Sequence, residues 1–482
     1  MAGLGNKLKK NALYNIIYQA SVYITPLIVV HHTARVLGPE NNGLYSFVQS
    51  IVSYFILAAT LGTTYYGQRT IASVRNDPIQ RQKKFREIVL LRMITTAVAL
   101  IIFYSCVVLN VDNRILWAVA GMEIITVGLD VSWFFQGMEE FGVIALTNVC
   151  ARLLSVVFIV LLVRERNQLT LYVFLYCAFL ILGLIAQWIF LRRFLDQKGY
   201  RADLRALKTH LVIAAGLFVA QAAIQVYTVL DKTMIGLITH SDLQNGYYEE
   251  AQKLIRVLVA VSTSIGTVMA SRVAFLWAEK KNKEINDLLL FSFRIVSCIG
   301  LFIFMMLQLC VDQFVPFYYG PEYGGVVLLL RILSLQPVII GFSSIVGMQF
   351  FVPTGKERYL TLSVIIGSIL NVIMNIFLIN RLQAAGAALA SVVAEISVTG
   401  IQFFIGKKYL DMKPIPGIAI RYVLIAVPVF AAGYGIKMFM QEGLVSMLCI
   451  CGVSGVLYGI MLFLTKDPLI KTLIGSREKK CE

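Results

Sequence analysis

Long apolar runs, separated by short polar or Gly/Pro-rich breaks, follow one another along the whole chain. Each run has about 20 residues or more, which lets a helix cross roughly 30 Å of hydrocarbon. The pattern predicts an all-α polytopic membrane protein with about fourteen transmembrane helices. The predicted runs are 11–34, 43–67, 88–109, 115–137, 142–163, 169–191, 209–238, 247–271, 286–311, 326–352, 359–380, 384–406, 416–436 and 443–465.

The composition supports a membrane protein. The 482 residues are 58% hydrophobic and 15% charged, with a mean hydropathy of +0.76. Soluble domains are about half apolar and about a quarter charged. The longest loop on the outer side of the predicted bilayer, 312–325, has only about fourteen residues, which is too short for a catalytic domain. We therefore expect no enzyme.

Lysine and arginine lie mostly on one side of the predicted bilayer. The termini and the loops on their side hold about 29 of these residues, whereas the opposite loops hold about six. We therefore expect both termini to be cytoplasmic. The net charge of +16 reflects this bias. Because no compact basic domain carries it, we expect no nucleic-acid partner.

Two similar segments indicate an internal repeat. NGLYSFVQ begins at Asn42 and NGYYEEAQ begins at Asn245, each opening an even-numbered predicted helix on the outer side. The glycine of each segment suits a tight turn into the helix. We predict two six-helix bundles, 1–195 and 196–410, followed by two further helices and a basic cytoplasmic tail in 411–482. Repeats of this kind usually place the substrate site between the halves.

Six charged residues gather on predicted helices seven and eight. On helix eight, residue pairs at i,i+3 and i,i+4 share one helix face. Lipid does not tolerate such a cluster, so the residues should face water or the bundle interior. Two readings remain open: a mutually neutralised structural network, or an anion site whose acids pair with the cations while the cavity is empty. The six residues are Asp231, Lys232, Glu249, Glu250, Lys253 and Arg256.

Further charges lie inside the other predicted helices. Asp130 and Arg152 lie at similar depth in neighbouring helices, so we predict an intramembrane ion pair with either a structural or a functional role. Arg92, Arg294 and Arg421 lie near helix ends, where long side chains reach the interface.

One acid lies inside helix twelve. Glu395 matches the depth of Asn371 and Asn375, which favours either a structural hydrogen bond or a proton or cation site.

The chain shows no pattern typical of a metal or cofactor site. Adjacent His31 and His32 point about 100° apart on a helix, which is poor metal geometry. We interpret them, with Arg35, as residues of the interface or of a cavity rim. Seven of the eight cysteines lie inside apolar runs without a ligand quartet. Since no phosphate loop or nucleotide fingerprint is present, we expect no cofactor.

Five motifs, spread over most of the chain, resemble one known family. They are ARVLGPENNGLYSF at 34–47, LDKTMIGL at 230–237, NGYYEEAQKL at 245–254, YYGPEYGG at 318–325 and FVPTGKER at 351–358. In this order they resemble the polysaccharide-unit (Wzx-type) flippases of the multidrug/oligosaccharidyl-lipid/polysaccharide exporter superfamily.

The resemblance implies a function and a site. It implies two six-helix bundles around a central cavity that alternates in access across the bacterial cytoplasmic membrane. The implied substrate is an undecaprenyl-pyrophosphate-linked oligosaccharide, with membrane lipids and polysaccharide polymerase machinery as further partners. Arginine forks and a lysine suit a pyrophosphate. The implied cavity cations are Arg35, Lys232, Lys253 and Arg256, and the cavity or coupling acids are Asp231, Glu249, Glu250 and Glu395.

Three other functions remain as alternatives. A cation-coupled multidrug exporter of the same superfamily would have a cavity dominated by acids, unlike the mixed charges of helices seven and eight. A peptidoglycan-precursor flippase shares the same charge requirement. A membrane glycosyltransferase or polymerase would need catalytic residues on a sizeable outer loop.

Overall fold

The computed structural model describes residues 2–195, 204–441 and 443–470, and throughout them the regular secondary structure is helical. The α-helices, numbered in chain order, are α1 (Ala2–Thr60), α2 (Thr63–Ser73), α3 (Pro78–Ile102), α4 (Arg114–Ala120), α5 (Met122–Leu129), α6 (Ser132–Gly137), α7 (Phe141–Leu162), α8 (Leu169–Leu191), α9 (Leu204–Thr239), α10 (Asp242–Thr263), α11 (Gly266–Ala278), α12 (Asn282–Tyr318), α13 (Gly324–Leu333), α14 (Gln336–Ser344), α15 (Glu357–Leu382), α16 (Ala384–Gly406), α17 (Pro414–Phe439) and α18 (Leu444–Leu464).

Many of these helices are long and apolar enough to span a membrane. Within the described residues, 11 such spans are present, or 12 if the bent pair Pro321–Leu333 and Gln336–Phe351 is one span. The predicted class, an all-helical polytopic membrane protein, is therefore confirmed. The count of fourteen stays a prediction, because the 50-residue span Ile24–Ser73 joins two predicted runs and the side chains of α9 are described only in part.

The chain divides into two compact units. Unit 1 is Met1–Gly236 and unit 2 is Leu237–Glu482. This division differs from the predicted boundary at 195/196, because most of α9 packs within unit 1. There Thr233 on α9 bonds Tyr54 and Ser50 on α1, at 3.0 Å each. The boundaries drawn from the repeat stay a prediction.

In unit 1, two glycines separate the first helical segments. Gly38 has φ 79°, so α1 is kinked there, ahead of the NGLYSFVQ segment. Gly62 has φ 72° and precedes α2. Both angles lie in the left-handed region that favours glycine. The predicted turn at Gly43 is wrong, because Gly43 is helical.

In unit 2, the helices break at matching distances. The break before α10 falls at His240 and Ser241, and Ser241 caps the helix. Gly246 is therefore helical, and the predicted turn there is wrong. Position 241 lies 203 residues after Gly38, and the start of α11 at Gly266 lies 203 after the start of α2 at Thr63. The helix breaks thus share the spacing of the two similar segments, and the repeat stays a prediction.

The last two helices pack into the core of unit 2. Tyr422 and Tyr458, on α17 and α18, lie in one buried apolar cluster with Phe293 of α12. Asp312 of α12 accepts hydrogen bonds from Arg331 at 2.8 Å and from Lys437 at the end of α17. These contacts fix α17 and α18 within unit 2.

Gly62 provides a test of the packing between α9 and the start of α2. An alanine at this position would press its Cβ against the carbonyl oxygen of Ala214 on α9, and its backbone would have to keep an unfavourable positive φ. We expect Gly62→Ala to reduce the free energy of unfolding by about 1 to 3 kcal/mol, measured by thermal unfolding of the purified protein.

Gly216→Ala on α9 is the matched control, because a Cβ added at this glycine would have no neighbouring atom within 4 Å. It should leave the unfolding temperature unchanged or slightly raised. Equal stability of the Gly62 and Gly216 variants would contradict the proposed close packing.

Candidate functional site

Four of the predicted site residues come together on α10 in unit 2. The Nζ of Lys253 lies 2.9 Å from Oε1 of Glu250 and 3.6 Å from Oε1 of Glu249. Nη2 of Arg256 lies 3.5 Å from the same oxygen of Glu249. Helical periodicity alone brings these charges together, because the paired residues are three, four or seven positions apart. The predicted charged stripe is thus present as two cations beside two carboxylates.

The acids and the cations of this stripe differ in accessibility. The side chains of Glu249 and Glu250 are 5% and 1% exposed, whereas those of Lys253 and Arg256 are 26% and 51% exposed. The buried acids lie beside buried aromatic rings, and the hydroxyl of Tyr319 donates to the backbone carbonyl of Glu250 at 3.1 Å. The accessible side chains of the stripe are therefore the two cations, and the buried carboxylates next to them balance their charge.

Asp231 and Lys232 lie on the part of α9 that belongs to unit 1. Both are buried, with 8% of each residue exposed. The adjacent Thr233 holds this turn of α9 against α1 through Tyr54. The grouping of these two residues with the α10 charges in one site stays a prediction.

Glu123 is a buried acid that the sequence analysis missed. It lies on α5 with 7% exposure, and the Tyr45 hydroxyl donates to its Oε1 at 2.8 Å. Gln49 also hydrogen-bonds to it, and Lys232 lies within electrostatic range. A carboxylate inside the apolar run 115–137 is itself a signal of a special role. The residues that surround it, however, come from separate helices, which no local pattern reveals.

The predicted ion pair between Asp130 and Arg152 needs correction. Oδ2 of Asp130 lies 3.0 Å from Nη2 of Arg92, and no ion pair of Arg152 is found in the described part of the chain. Nε of Arg92 also donates to the carbonyl of Val127 at 2.6 Å. Arg92 is 3% exposed. Its interpretation as an arginine that reaches the interface is therefore wrong, because α3 turns it toward the end of α5.

The remaining predicted residues have simpler surroundings. Nδ2 of Asn375 donates to Oδ1 of Asn371 at 3.2 Å, so the two amides bond to each other. Glu395 is half-buried on α16, and its link to these amides stays a prediction.

Nε2 of His32 donates to the Val163 carbonyl at 2.8 Å, which ties α1 to the end of α7. Arg35 is exposed one turn further on.

A second buried cluster in unit 1 was also missed. Glu87 of α3 accepts from Nε2 of His210 at 2.8 Å and from Lys84 at 3.0 Å, and His210 contacts the Tyr66 hydroxyl through Nδ1. This cluster fastens α9 to α2 and α3. Glu87 and His210 are 123 residues apart. No sequence spacing therefore signals their contact.

The fold is polytopic and helical, and charged side chains lie inside its spans. These two features define the class of membrane proteins that are built around polar intramembrane sites. Residues 8–275 match the family described as "Polysaccharide biosynthesis protein". This match covers more than half of the chain, and the chain belongs to that family. The expected family membership is thereby confirmed.

Two curated relatives match most of the chain. The protein named "Putative O-antigen transporter" of Escherichia coli (strain K12) is 23% identical over 403 residues, covering 82% of this chain and 95% of the relative. The protein of the same name from Shigella dysenteriae is 22% identical over 398 residues, covering 81% of this chain and 98% of the relative.

Solved structures share the fold. The lipid II flippase MurJ, in an inward closed conformation, superposes with a TM-score of 0.76 at 15% identity, over 95% of this chain and 100% of that chain. An inward-facing multidrug resistance MATE family transporter of the MOP superfamily gives a TM-score of 0.63 at 14% identity, over 83% and 95%. The chain therefore has the polytopic fold of that superfamily.

The corrected pairing of Asp130 can be tested with a double-mutant cycle. We expect Arg92→Met and Asp130→Asn to show a coupling free energy of roughly 1 to 3 kcal/mol, because each side chain is the other's charged partner. Thermal or chemical unfolding of the purified protein would measure it.

The control cycle combines Asp130→Asn with Arg152→Met. Its coupling should be close to zero, since no contact joins the two side chains. A larger coupling free energy in the control cycle than in the Arg92 cycle would support the predicted pairing of Asp130 with Arg152.

Proposed function

We propose that this chain is a flippase for undecaprenyl-pyrophosphate-linked oligosaccharide units. In this proposal it moves them across the bacterial cytoplasmic membrane for surface polysaccharide biosynthesis. The observation that carries the proposal is the α10 stripe, whose cations are accessible while its acids are buried. A diphosphate is a dispersed anion that a guanidinium fork and an ammonium group recognise well. Family membership and the fold shared with a lipid II flippase support the same function.

The proposed roles follow from the geometry of the stripe. Lys253 and Arg256 contact the pyrophosphate, while Glu249 and Glu250 balance the two cations when no anion is bound. An unpaired charge inside a membrane protein is costly, so the acids reduce the cost of the empty state. When a pyrophosphate binds, Lys253 and Arg256 exchange part of their carboxylate contacts for phosphate oxygens. The protein thus keeps charge compensation throughout a cycle of alternating access.

Other charged residues complete the proposed site. Lys232 and Arg35 contribute further positive charge, and the coupling acids are drawn from Asp231, Glu250 and Glu395. The position of both termini on the cytoplasmic side belongs to the same proposal.

The second candidate is a peptidoglycan-precursor flippase. The similarity to the lipid II flippase over 95% of this chain favours it, and both substrates would present a diphosphate to the same cations. A multidrug exporter is disfavoured, because its cavity would be dominated by acids rather than by accessible cations.

Deletion of the gene followed by lipid extraction tests the substrate class. We expect an undecaprenyl-linked oligosaccharide to accumulate, because its synthesis continues without export. Mass spectrometry of the extracted lipids would identify the sugars. Accumulation of peptidoglycan precursor instead would support the second candidate, and an unchanged lipid profile with lost drug resistance would indicate an exporter.

Substitution of the accessible cations tests the site. Lys253→Gln and Arg256→Gln should each lower surface glycan export by about tenfold to a hundredfold, because each removes a charge-assisted hydrogen bond of about 1.5 to 3 kcal/mol. Export is measured by immunodetection of the surface glycan in a complemented deletion strain, with membrane protein level as the check on folding.

Arg381→Gln is the control, since it removes an exposed positive charge at the end of α15 outside the stripe. It should retain full export. Full export by both Lys253→Gln and Arg256→Gln would refute the assignment of the site.

A further inference from the structure

A small cavity in unit 2 lies apart from the α10 stripe. It has a volume of about 200 Å³ and lies between the first half of α12, the first turns of α17 and the residues that follow α18. Two arginines line the cavity, Arg294 from α12 and Arg421 from α17. The lining residues that matter here are Arg294, Arg421, Tyr422, Asp467, Ile418 and Pro468.

The single carboxylate of the cavity is already engaged by the protein. Oδ1 of Asp467 accepts from the Tyr422 hydroxyl at 3.0 Å and from the backbone NH of Leu469 at 2.9 Å. Oδ2 lies 3.4 Å from Nε of Arg421, and Nη2 of Arg421 donates to the carbonyl of Thr465 at 2.8 Å. The Asp467 charge is thus balanced by Arg421. Nη1 of Arg421 takes no part in these two contacts.

Arg294 is the second cation, and its charge is not balanced in the same way. Across the described ranges 2–195, 204–441 and 443–470, Arg294 forms neither an ion pair nor a side-chain hydrogen bond. The cavity therefore carries a net charge of about +1 from two guanidinium groups and one carboxylate. Guanidinium groups are weakly hydrated and bind phosphate oxygens in a bidentate manner.

A comparison with unit 1 shows that this arrangement is not a general feature of the fold. Arg92 lies at nearly the matching position of α3, 202 residues before Arg294. Arg92 is buried and pairs with Asp130, whereas Arg294 is half-buried and lines an open cavity. An arginine at this position is used for internal packing in unit 1, whereas in unit 2 it can contact a ligand in the cavity.

The cavity lies near the end of the spans rather than at their centre. The first turns of α12 contain Lys283, Glu284 and Asp287, and the apolar part of the helix follows them. Exposed Lys413 and Lys466 flank the start of α17 and the end of α18. Basic pockets between transmembrane helices at this depth bind anionic lipid head groups.

We propose that this cavity binds the phosphate group of an anionic membrane lipid. Arg294 and Arg421 donate to the phosphate oxygens, and Ile418 and Pro468 contact the glycerol and the first acyl carbons. A side chain that merely reaches the interface would need no cavity and no second arginine. This inference is independent of the proposed transport function, and its test measures lipid binding rather than export.

Native mass spectrometry of the purified full-length protein tests the proposal. The protein in detergent is titrated with phosphatidylglycerol, with phosphatidylethanolamine and with glycerol 3-phosphate. We expect selective retention of phosphatidylglycerol, and about a fivefold loss of its occupancy in Arg294→Gln, because each arginine near a membrane surface contributes modestly to anionic lipid binding. Arg294→Gln breaks no ion pair or hydrogen bond among the described residues, so the fold should persist.

Two further variants sharpen the result. Arg421→Gln should lower occupancy as well, and its unfolding temperature is measured because it also unpairs Asp467. Arg272→Gln is the control, since Arg272 is exposed in the middle of α11 and lies over the Phe275 ring. It should bind phosphatidylglycerol like the unchanged protein.

The outcomes separate the sources of the phosphate. Wild-type occupancy in Arg294→Gln, or equal retention of the two phospholipids, would overturn the proposal. Binding of glycerol 3-phosphate without phosphatidylglycerol would also overturn it, as it would identify a site for free phosphates. In a competition arm, displacement of phosphatidylglycerol by undecaprenyl phosphate would support a lipid phosphate site and name the carrier lipid as its preferred occupant.

Discussion

The structure depends on one physical constraint: a charge within a membrane span must be paired, hydrogen-bonded or in contact with water or head groups. Arg92 meets this requirement through Asp130 and a backbone carbonyl, and Glu123 meets it through Tyr45 and Gln49. Each solution joins helices that are distant in sequence. Charged residues therefore act as fixed points between helices whose apolar surfaces could otherwise slide past one another, because dispersion contacts have little directionality.

The α10 stripe satisfies the same constraint in a different way. Its acids and cations are close neighbours on one helix, so their compensation needs no partner helix. The acids are buried and the cations remain accessible, which makes the stripe suited to an anion that arrives and leaves. A pair such as Arg92 and Asp130 joins two helices permanently, whereas a stripe on one helix can exchange partners without disturbing the packing.

The two units also use equivalent helix breaks differently. Breaks spaced 203 residues apart define α2 in unit 1 and α11 in unit 2, although the sequences around them differ. In unit 1, Gly62 permits close contact with α9, and a cluster around Glu87 and His210 fastens the same helix. In unit 2, α17 and α18 complete the core instead. The charged residues then diverge, as Arg92 and Arg294 illustrate.

The sequence by itself determined the class of fold and the charged stripe, because both depend on local periodicity. Apolar runs of membrane-spanning length predict helices wherever they occur, and Glu249, Lys253 and Arg256 share a helix face through their spacing alone. Only the tertiary structure decided that Asp130 pairs with Arg92 and that His210 meets Glu87. Such contacts depend on how helices rotate and tilt against each other. That rotation follows from the packing of many side chains at once, which no local pattern encodes.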